Sequence, residues 1–118
     1  MKFLCLAYEE ESTLNALSDS EWRALRQETL DWVESLRDSG CLIDARPLKS
    51  ARTAAMVRVR SGALSVTDGP FAETKEQLGG FFLIEVADRQ EAIRLAATWP
   101  SARLGAIEVR PIEEELPL

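Results

Sequence analysis

Residues 68–80, with the sequence DGPFAETKEQLGG, hold the side chains of this chain that are best placed to do chemistry. The segment carries two candidate acid–base groups, Asp68 and Glu73, and an amine on Lys75. If the two carboxylates approach each other, they can share a proton, which raises one pKa and gives an acid and base couple. Two carboxylates without further oxygen ligands make a poor magnesium or calcium site, so no metal is predicted.

Each residue of this segment also has an interpretation that needs no ligand. Asp68 before a Gly-Pro pair is typical of an Asx turn, in which the carboxylate accepts backbone amides. Gly69 and Pro70 are then turn residues, and Phe71 either anchors the loop in the core or lines a cleft. The charged residues that follow can form the solvated face of a short helical turn: Glu73, Lys75 and Glu76.

Gly79 and Gly80 precede an apolar strand and lack the GxGxxG spacing of a dinucleotide site, so no cofactor is predicted. Tyr8 and Arg58 are further candidates for a cleft, although a half-buried strand tyrosine and a solvated strand arginine are the simpler interpretations. The candidate catalytic residues are therefore Asp68 and Glu73. The candidate ligand-binding residues are Tyr8, Arg58, Gly69, Pro70, Phe71 and Lys75.

The composition is that of a globular protein. The chain has 118 residues, of which 46% are hydrophobic and 29% charged, and we expect residues 1–118 to form a single domain. The formal charge of −6 disfavours nucleic-acid binding, which depends on clustered Lys and Arg. The basic stretch from Arg46 to Arg60 is more simply a solvated strand face than an anion site.

The first residues predict a strand and not a targeting segment. Three glutamates, Glu9, Glu10 and Glu11, follow the apolar run where a signal peptide would have small residues. No apolar stretch approaches the roughly 20 residues that cross a bilayer, so we expect a cytoplasmic protein without membrane contact. Cys5 and Cys41 lack CxxC spacing and are predicted to be reduced core residues.

Hydrophobic periodicity predicts the element order β-α-β-β-β-β-α-β. Ser18 and Glu21 form a capping box at the start of a long helix, and Asp88 with Glu91 begins the second helix. The three tryptophans fall on helix stripes and are predicted core residues: Trp22, Trp32 and Trp99. The predicted strands are residues 2–8, 42–48, 53–60, 63–68, 80–86 and 105–112, with a hairpin turn at 61–62.

This order predicts an α+β fold, a ferredoxin-like split β-α-β arrangement with an added β-hairpin. Both helices should cover one face of an antiparallel sheet. Because side chains alternate along strands, Leu4, Leu6, Phe82 and Ile84 cannot all point at the helices. We therefore expect a homodimer, of the dimeric α/β barrel type, in which two sheets pack together and leave a cleft at the seam.

Several segments resemble the YCII-related family and, within it, the DGPF-domain group of bacterial proteins. They are MKFL at residues 1–4, TAAMVRVR at 53–60, DGPFAETKEQLGGF at 68–81 and EVRPI at 108–112. The resemblance implies a ferredoxin-like dimer and, for some members, proton-transfer chemistry by a histidine and aspartate pair. Asp68 matches the aspartate of the family motif, but this chain has no histidine.

Two functions follow from these observations as expectations. The first is a small-molecule-binding protein with a cleft near the DGPFAE motif, in which Asp68 and Glu73 transfer a proton in an isomerase- or lyase-like step. The second is a non-catalytic regulator that binds a protein partner. The family resemblance links this second function to extracytoplasmic-function sigma factors.

Overall fold

The computed structural model describes residues 1–116, which form two antiparallel sheets. The strands are β1 (Lys2–Glu10), β2 (Leu42–Pro47), β3 (Ala55–Arg60), β4 (Ala63–Asp68), β5 (Glu76–Glu85) and β6 (Gly105–Pro111). The larger sheet has the order β2-β5-β1-β6, and β3 pairs with β4 alone. Without the β3–β4 hairpin, this is the strand order of a ferredoxin-like sheet, so the predicted α+β fold is confirmed.

Three helices connect the strands: α1 (Glu11–Asn15), α2 (Asp19–Asp38) and α3 (Arg89–Ala96). The predicted capping box begins α2, because the amide of Glu21 donates to the Ser18 hydroxyl and the amide of Ser18 donates to the Glu21 carboxylate. The single turn of α1 was not predicted, since it interrupts a polar run without apolar periodicity. Among residues 1–116, no helix is long and apolar enough to cross a membrane.

The core lies between the larger sheet and the two longer helices. Phe3, Cys5, Phe82 and Ile84 point from the sheet towards Leu36 of α2 and the alanines of α3. Burial raises the pKa of the Cys5 thiol to about 12, so this thiol stays neutral, as expected of a core cysteine. The sheet therefore has a dry face, which is covered by helices.

The three tryptophans differ in position. The Trp32 ring meets Phe82 and Trp99 edge-on, at centroid distances of 5.0 and 4.9 Å, and Phe82 stacks on Trp99 at 5.0 Å. These contacts join α2, β5 and the segment after α3. Trp99 is thus a core residue, but its predicted place on a helix is wrong, because α3 ends at Ala96. Trp22 is 47% exposed, so its predicted place in the core is wrong. It lies in the first turn of α2 and is not among the residues of the core cluster.

The opposite face of the larger sheet carries a second set of apolar side chains. Leu4 pairs with Leu83, and Leu6 pairs with Phe81, across β1 and β5. All four are half-buried, and helices cover only the other face. Charged residues flank this apolar stripe on both outer strands: Asp44 and Arg46 on β2, and Glu108 and Arg110 on β6. We call this surface the open face.

The β3–β4 hairpin also exposes one apolar face. Val57 pairs with Val66, and Val59 pairs with Leu64, and each of these side chains is about 60% exposed or more. The strands are joined through Ser61 and Gly62, which both have positive φ, as a tight two-residue hairpin turn requires. The turn predicted from the Ser-Gly pair is thus confirmed.

Candidate functional site

The DGPF segment leaves the hairpin at the end of β4. Asp68 is the last residue of β4 and pairs with Ala55 of β3. Gly69 follows with a φ of 107°, a value that favours glycine, and its amide donates to the Ala54 carbonyl at 2.7 Å. This glycine lets the chain turn away from the hairpin towards β5. The Asp68 carboxylate is exposed and accepts no hydrogen bond from residues 1–116, so the predicted Asx turn is not formed.

Gln77 holds the loop at residues 71–76. Its side-chain amide donates to the carbonyl oxygens of Ala72 and Thr74, at 2.8 and 2.9 Å. The Thr74 hydroxyl donates to the Glu76 carbonyl at 2.6 Å. The loop has no helical residue, so the predicted helical turn at Glu73–Glu76 is wrong. Gln77 was not singled out in the sequence, because its role depends on carbonyl groups that only a folded loop presents.

A cleft of about 530 Å³ lies between this loop and the open face of the sheet. Three of the predicted ligand-binding residues line it: Tyr8, Pro70 and Phe71. The Tyr8 hydroxyl donates to Glu108 at 3.1 Å, and its pKa is raised by burial and by this carboxylate. The opposite wall includes Lys49, Ser50 and Thr53 from the connection between β2 and β3. We call this space the motif cleft.

The other predicted site residues lie outside the lining of the motif cleft: Asp68, Gly69, Arg58, Glu73 and Lys75. Within residues 1–116, no hydrogen bond joins the Asp68 and Glu73 carboxylates. The Arg58 guanidinium instead lies over the Phe71 ring, 5.6 Å from its centroid. Arg58 thus reaches the site indirectly, through the aromatic side chain that it contacts.

Phe71 does not anchor the loop in the core. Its side chain is 75% exposed at the rim of the motif cleft, so the core-anchor interpretation is wrong. Its ring instead lies beside the Arg58 guanidinium of the β3–β4 hairpin. Lys49 was placed by the sequence only in a basic stretch, and the structure shows that its side chain belongs to the cleft.

Side chains that could bind a metal ion do not cluster in the described part of the chain. Residues 1–116 contain no group of three or more Cys, Asp or Glu side chains arranged to hold a metal ion, and the sequence contains no histidine. The polar side chains that line the motif cleft include a phenol, an amine, hydroxyl groups, the Gln77 amide and the carboxylate of Glu76.

One known protein is similar to this chain in sequence, and a solved structure is similar to it in fold. An uncharacterised protein of Rhizobium meliloti (strain 1021) is 36% identical over 114 residues, covering 95% of this chain and 92% of that protein. The solved structure of 5-chloro-2-hydroxyhydroquinone dehydrochlorinase from Burkholderia phenoliruptrix AC1100, in complex with 2,5-dihydroxybenzoquinone, superposes with a TM-score of 0.59. That match has 16% identity and covers 96% of this chain and 94% of the other, so it shows a shared fold.

The family is shown by a match that extends over nearly all of the chain. The model of the YCII-related domain fits residues 1–115, which include both sheets, the three helices and the DGPF segment. Together with the 36% identity to the Rhizobium protein, this match agrees with the resemblance seen in the DGPF segment. The chain belongs to the YCII-related domain family.

Proposed function

We propose that this protein binds a small organic molecule in the motif cleft. The observation that carries the proposal is the position of Pro70 and Phe71, which form one wall of a space of about 530 Å³. This volume lies within the roughly 300–1,000 Å³ of small-molecule sites. The walls are mostly apolar, with a few polar groups from Tyr8, Lys49 and Thr74 that could orient a ligand.

The ligand class that fits best is a small ring compound with oxygen substituents. An apolar ring would pack against Phe71 and Leu78, and ring oxygens would accept from Lys49. Because the Tyr8 hydroxyl already donates to Glu108, its oxygen would accept from a hydroxyl group of the ligand. The dehydrochlorinase with the same fold holds 2,5-dihydroxybenzoquinone, a molecule of this class. The likeness of fold is the reason to use 2,5-dihydroxybenzoquinone as the test ligand. The proposal itself is based on the residues that line the motif cleft.

We further propose that the motif carboxylates take part in proton transfer to such a ligand. Asp68 and Glu73 lie outside the lining of the cleft but flank, in the sequence, the segment 69–72 that contains Pro70 and Phe71. Because no hydrogen bond joins them in this structure, the loop at residues 71–76 must close for them to share a proton. One carboxyl group would then serve as acid and the other as base, without a histidine.

A homodimer completes this proposal. The open face presents four half-buried apolar side chains, and a second copy of the same face would cover them. The motif cleft opens beside Tyr8, which lies on that face, so the partner would narrow the cleft. Such an enclosure would remove water from the ligand and strengthen its polar contacts.

The alternative function is a non-catalytic regulator that binds a protein partner, and one observation favours it. Phe71 is 75% exposed, and the Arg58 guanidinium lies over its ring. Exposed aromatic and arginine side chains are typical anchors of protein interfaces. Under this alternative, replacing Phe71 would abolish partner binding. A link to a sigma factor would be part of this alternative.

The test is a titration of the native protein with 2,5-dihydroxybenzoquinone, followed by thermal unfolding and calorimetry. We expect saturable binding and a rise of about 5 °C or more in the unfolding temperature at high occupancy. Phe71→Ala should weaken binding at least about tenfold, which is about 1.4 kcal/mol. The matched control is Ile93→Ala, an exposed apolar residue of α3 far from the motif sequence, which should bind like the native chain.

Two further variants test the proton-transfer step. Asp68→Asn and Glu73→Gln should leave quinone binding within about threefold, since neither side chain lines the cleft, but each should slow hydrogen–deuterium exchange of the ring C–H. Native protein that does not bind the quinone would reject the ring-compound proposal. If Phe71→Ala binds the quinone as tightly as the native protein, the binding site does not lie in the motif cleft.

A further inference from the structure

A second cleft lies on the other side of the sheet, under the helices. Its volume is about 550 Å³, similar to that of the motif cleft. It is enclosed by the end of β1, by the segment that contains α1 and the start of α2, and by residues 48–52. Its apolar wall is formed by Leu14, Leu17, Trp22 and Leu48. We call this space the helix-side cleft.

Glu9 lies at the inner end of the helix-side cleft. Along β1 the side chains of Phe3, Cys5 and Ala7 are buried on the helix side, and alternation places Glu9 on that same side. No group among residues 1–116 donates a hydrogen bond to its half-buried carboxylate. Burial, and secondly the charge of Glu11, raise the pKa of Glu9.

Gly79 makes room for this carboxylate. A Cβ atom at position 79 would lie 2.7 Å from the Glu9 Cδ and 2.8 Å from its Oε2. The backbone at this point has a β-bulge, since Ala7 pairs with Gly80 and Tyr8 with Leu78. The first glycine of the Gly-Gly pair therefore accommodates a side chain of the helix-side cleft.

The other charged groups of the helix-side cleft differ from Glu9. Glu11 accepts from the Ala51 amide at 2.8 Å and from the Ser50 hydroxyl at 3.0 Å, and these bonds lower its pKa. Arg52 also acts on Glu11 and lowers its pKa further. Asp19 and Lys49 complete the charged lining, so that three carboxylates face two cations. Of the two glutamates, Glu11 is fully engaged and Glu9 is unpaired.

We propose that the helix-side cleft binds a small organic cation, a primary ammonium group on an apolar body, with the ammonium against Glu9. A positive charge there would compensate the half-buried carboxylate and balance the excess of negative groups in the lining. The body would lie against Trp22, whose ring also attracts cations, and against the leucines of the apolar wall. Four residues line both clefts: Leu48, Lys49, Ser50 and Gln77. Glu9 lines only the helix-side cleft, so variants at Glu9 distinguish binding here from binding in the motif cleft.

The test uses three probes of equal shape and different charge: benzylamine, benzyl alcohol and benzoate. Native protein should bind benzylamine saturably in the millimolar range or below, and the other two at least about tenfold more weakly. Glu9→Gln should weaken benzylamine binding at least about tenfold. The matched control is Glu10→Gln, the next residue of β1, whose side chain accepts from Ser12 and does not line the cleft.

The pH dependence gives a second readout. The ammonium stays protonated between pH 4 and 7, so benzylamine affinity should rise with pH as Glu9 ionises. Glu11 titrates at lower pH because its pKa is lowered by the hydrogen bonds from Ala51 and Ser50. The cations that face the cleft are Lys49 and Arg52. Asp19 is the remaining titratable group of the lining, and Asp19→Asn should keep the rise in affinity. In Glu9→Gln most of the rise should disappear.

A variant that leaves Glu9 in place serves as a further check. Gly79→Ala would displace the carboxylate from its position and should reduce benzylamine affinity without removing a charge. The proposal is overturned if native protein does not bind benzylamine at millimolar concentration. It is also overturned if benzoate or benzyl alcohol binds as tightly, or if Glu9→Gln binds like the native chain while its circular dichroism shows a folded protein.

Discussion

Gln77 stabilises the loop at residues 71–76, although the sequence marks it only as a polar residue of a strand. It is the second residue of β5, and its amide reaches back to two carbonyl oxygens of the loop before it. Loop carbonyls have few other partners when a loop lacks helical or strand pairing. The conformation of the DGPF segment near Phe71 therefore depends on one amide group.

Replacing Gln77 by Glu tests this dependence. The change removes both donors and places a carboxylate against two carbonyl oxygens, so we expect a loss of about 1–2 kcal/mol of unfolding free energy. Amide hydrogen exchange in residues 71–76 should also accelerate. Gln90→Glu is the control, because Gln90 lies exposed in the first turn of α3, where a negative charge is favourable. Equal losses in both variants would contradict the assigned role.

The sequence predicted a cleft beside residues 68–76, and the structure has a cleft that is lined by Pro70 and Phe71 of this segment. That a ligand binds in this cleft stays a prediction. The core-anchor role of Phe71 was wrong, because hydrophobicity alone does not tell a buried aromatic side chain from one exposed at a cleft. Glu9 was missed for a related reason: the predicted strand ended at Tyr8, although continued alternation would have placed Glu9 on the helix side.

At the scale of elements, two glycines are required by close backbone approach. A Cβ at Gly80 would lie 2.9 Å from the Arg46 carbonyl oxygen of the neighbouring β2. A Cβ at Gly105, the first residue of β6, would collide with the Tyr8 carbonyl oxygen of β1. At these two positions the backbones of neighbouring strands approach so closely that only glycine fits without a shift.

Gly105→Ala should therefore destabilise the sheet. The clash is with backbone atoms that cannot rotate away, so we expect a loss of at least about 2 kcal/mol in urea unfolding. The control is Gly79→Ala, where the new methyl group meets only the end of the flexible Glu9 side chain and should cost less than about 1 kcal/mol. A similar cost for both variants would show that close backbone approach does not decide the effect.

The starts of the two longer helices and the hairpin turn were predicted, whereas α3 ends at Ala96 and not, as predicted, just before Pro100. The capping box at Ser18, the Ser61-Gly62 turn and the Asp88 cap each act within a few residues, so the sequence contains all the information that they require. The β-bulge at Gly79 was not predicted, because it depends on the register between β1 and β5. The same register places Glu9 over Gly79 and so creates the helix-side cleft.

At the scale of the whole molecule, the chain is unusually flat and extended. Its radius of gyration is 16.2 Å, whereas a compact chain of this length would have about 13.5 Å. Its extents are 47 × 45 × 19 Å, so it is less than half as thick as it is wide. The open face and the apolar face of the hairpin both contribute to this shape, since neither is covered within the chain.

A two-stranded hairpin is marginally stable by itself, so the β3–β4 hairpin needs a further contact. Val57, Val59, Leu64 and Val66 form a continuous apolar surface on one side of it. Surfaces of this kind mark interaction sites in soluble proteins. The prediction of a dimer, made from strand alternation, is therefore supported by a second uncovered surface in the same chain.

The proposed dimer can be tested by introducing one charged side chain at the centre of the open face. Native protein should have twice the chain mass of 13.2 kDa in size exclusion with light scattering. Leu83→Glu should shift the mass to that of one chain, because a carboxylate in the middle of the apolar stripe would be buried without a partner. The fold should survive, since Leu83 points away from the helix-side core.

Ile93→Glu separates this effect from a general loss of stability. Ile93 is 39% exposed on α3, on the opposite side of the sheet, so the same charge there should leave the dimer intact. Dissociation of both variants would indicate that the charge acts through folding and not through the open face. A native mass of one chain would remove the open face as an interface, and with it the expectation that a partner encloses the motif cleft.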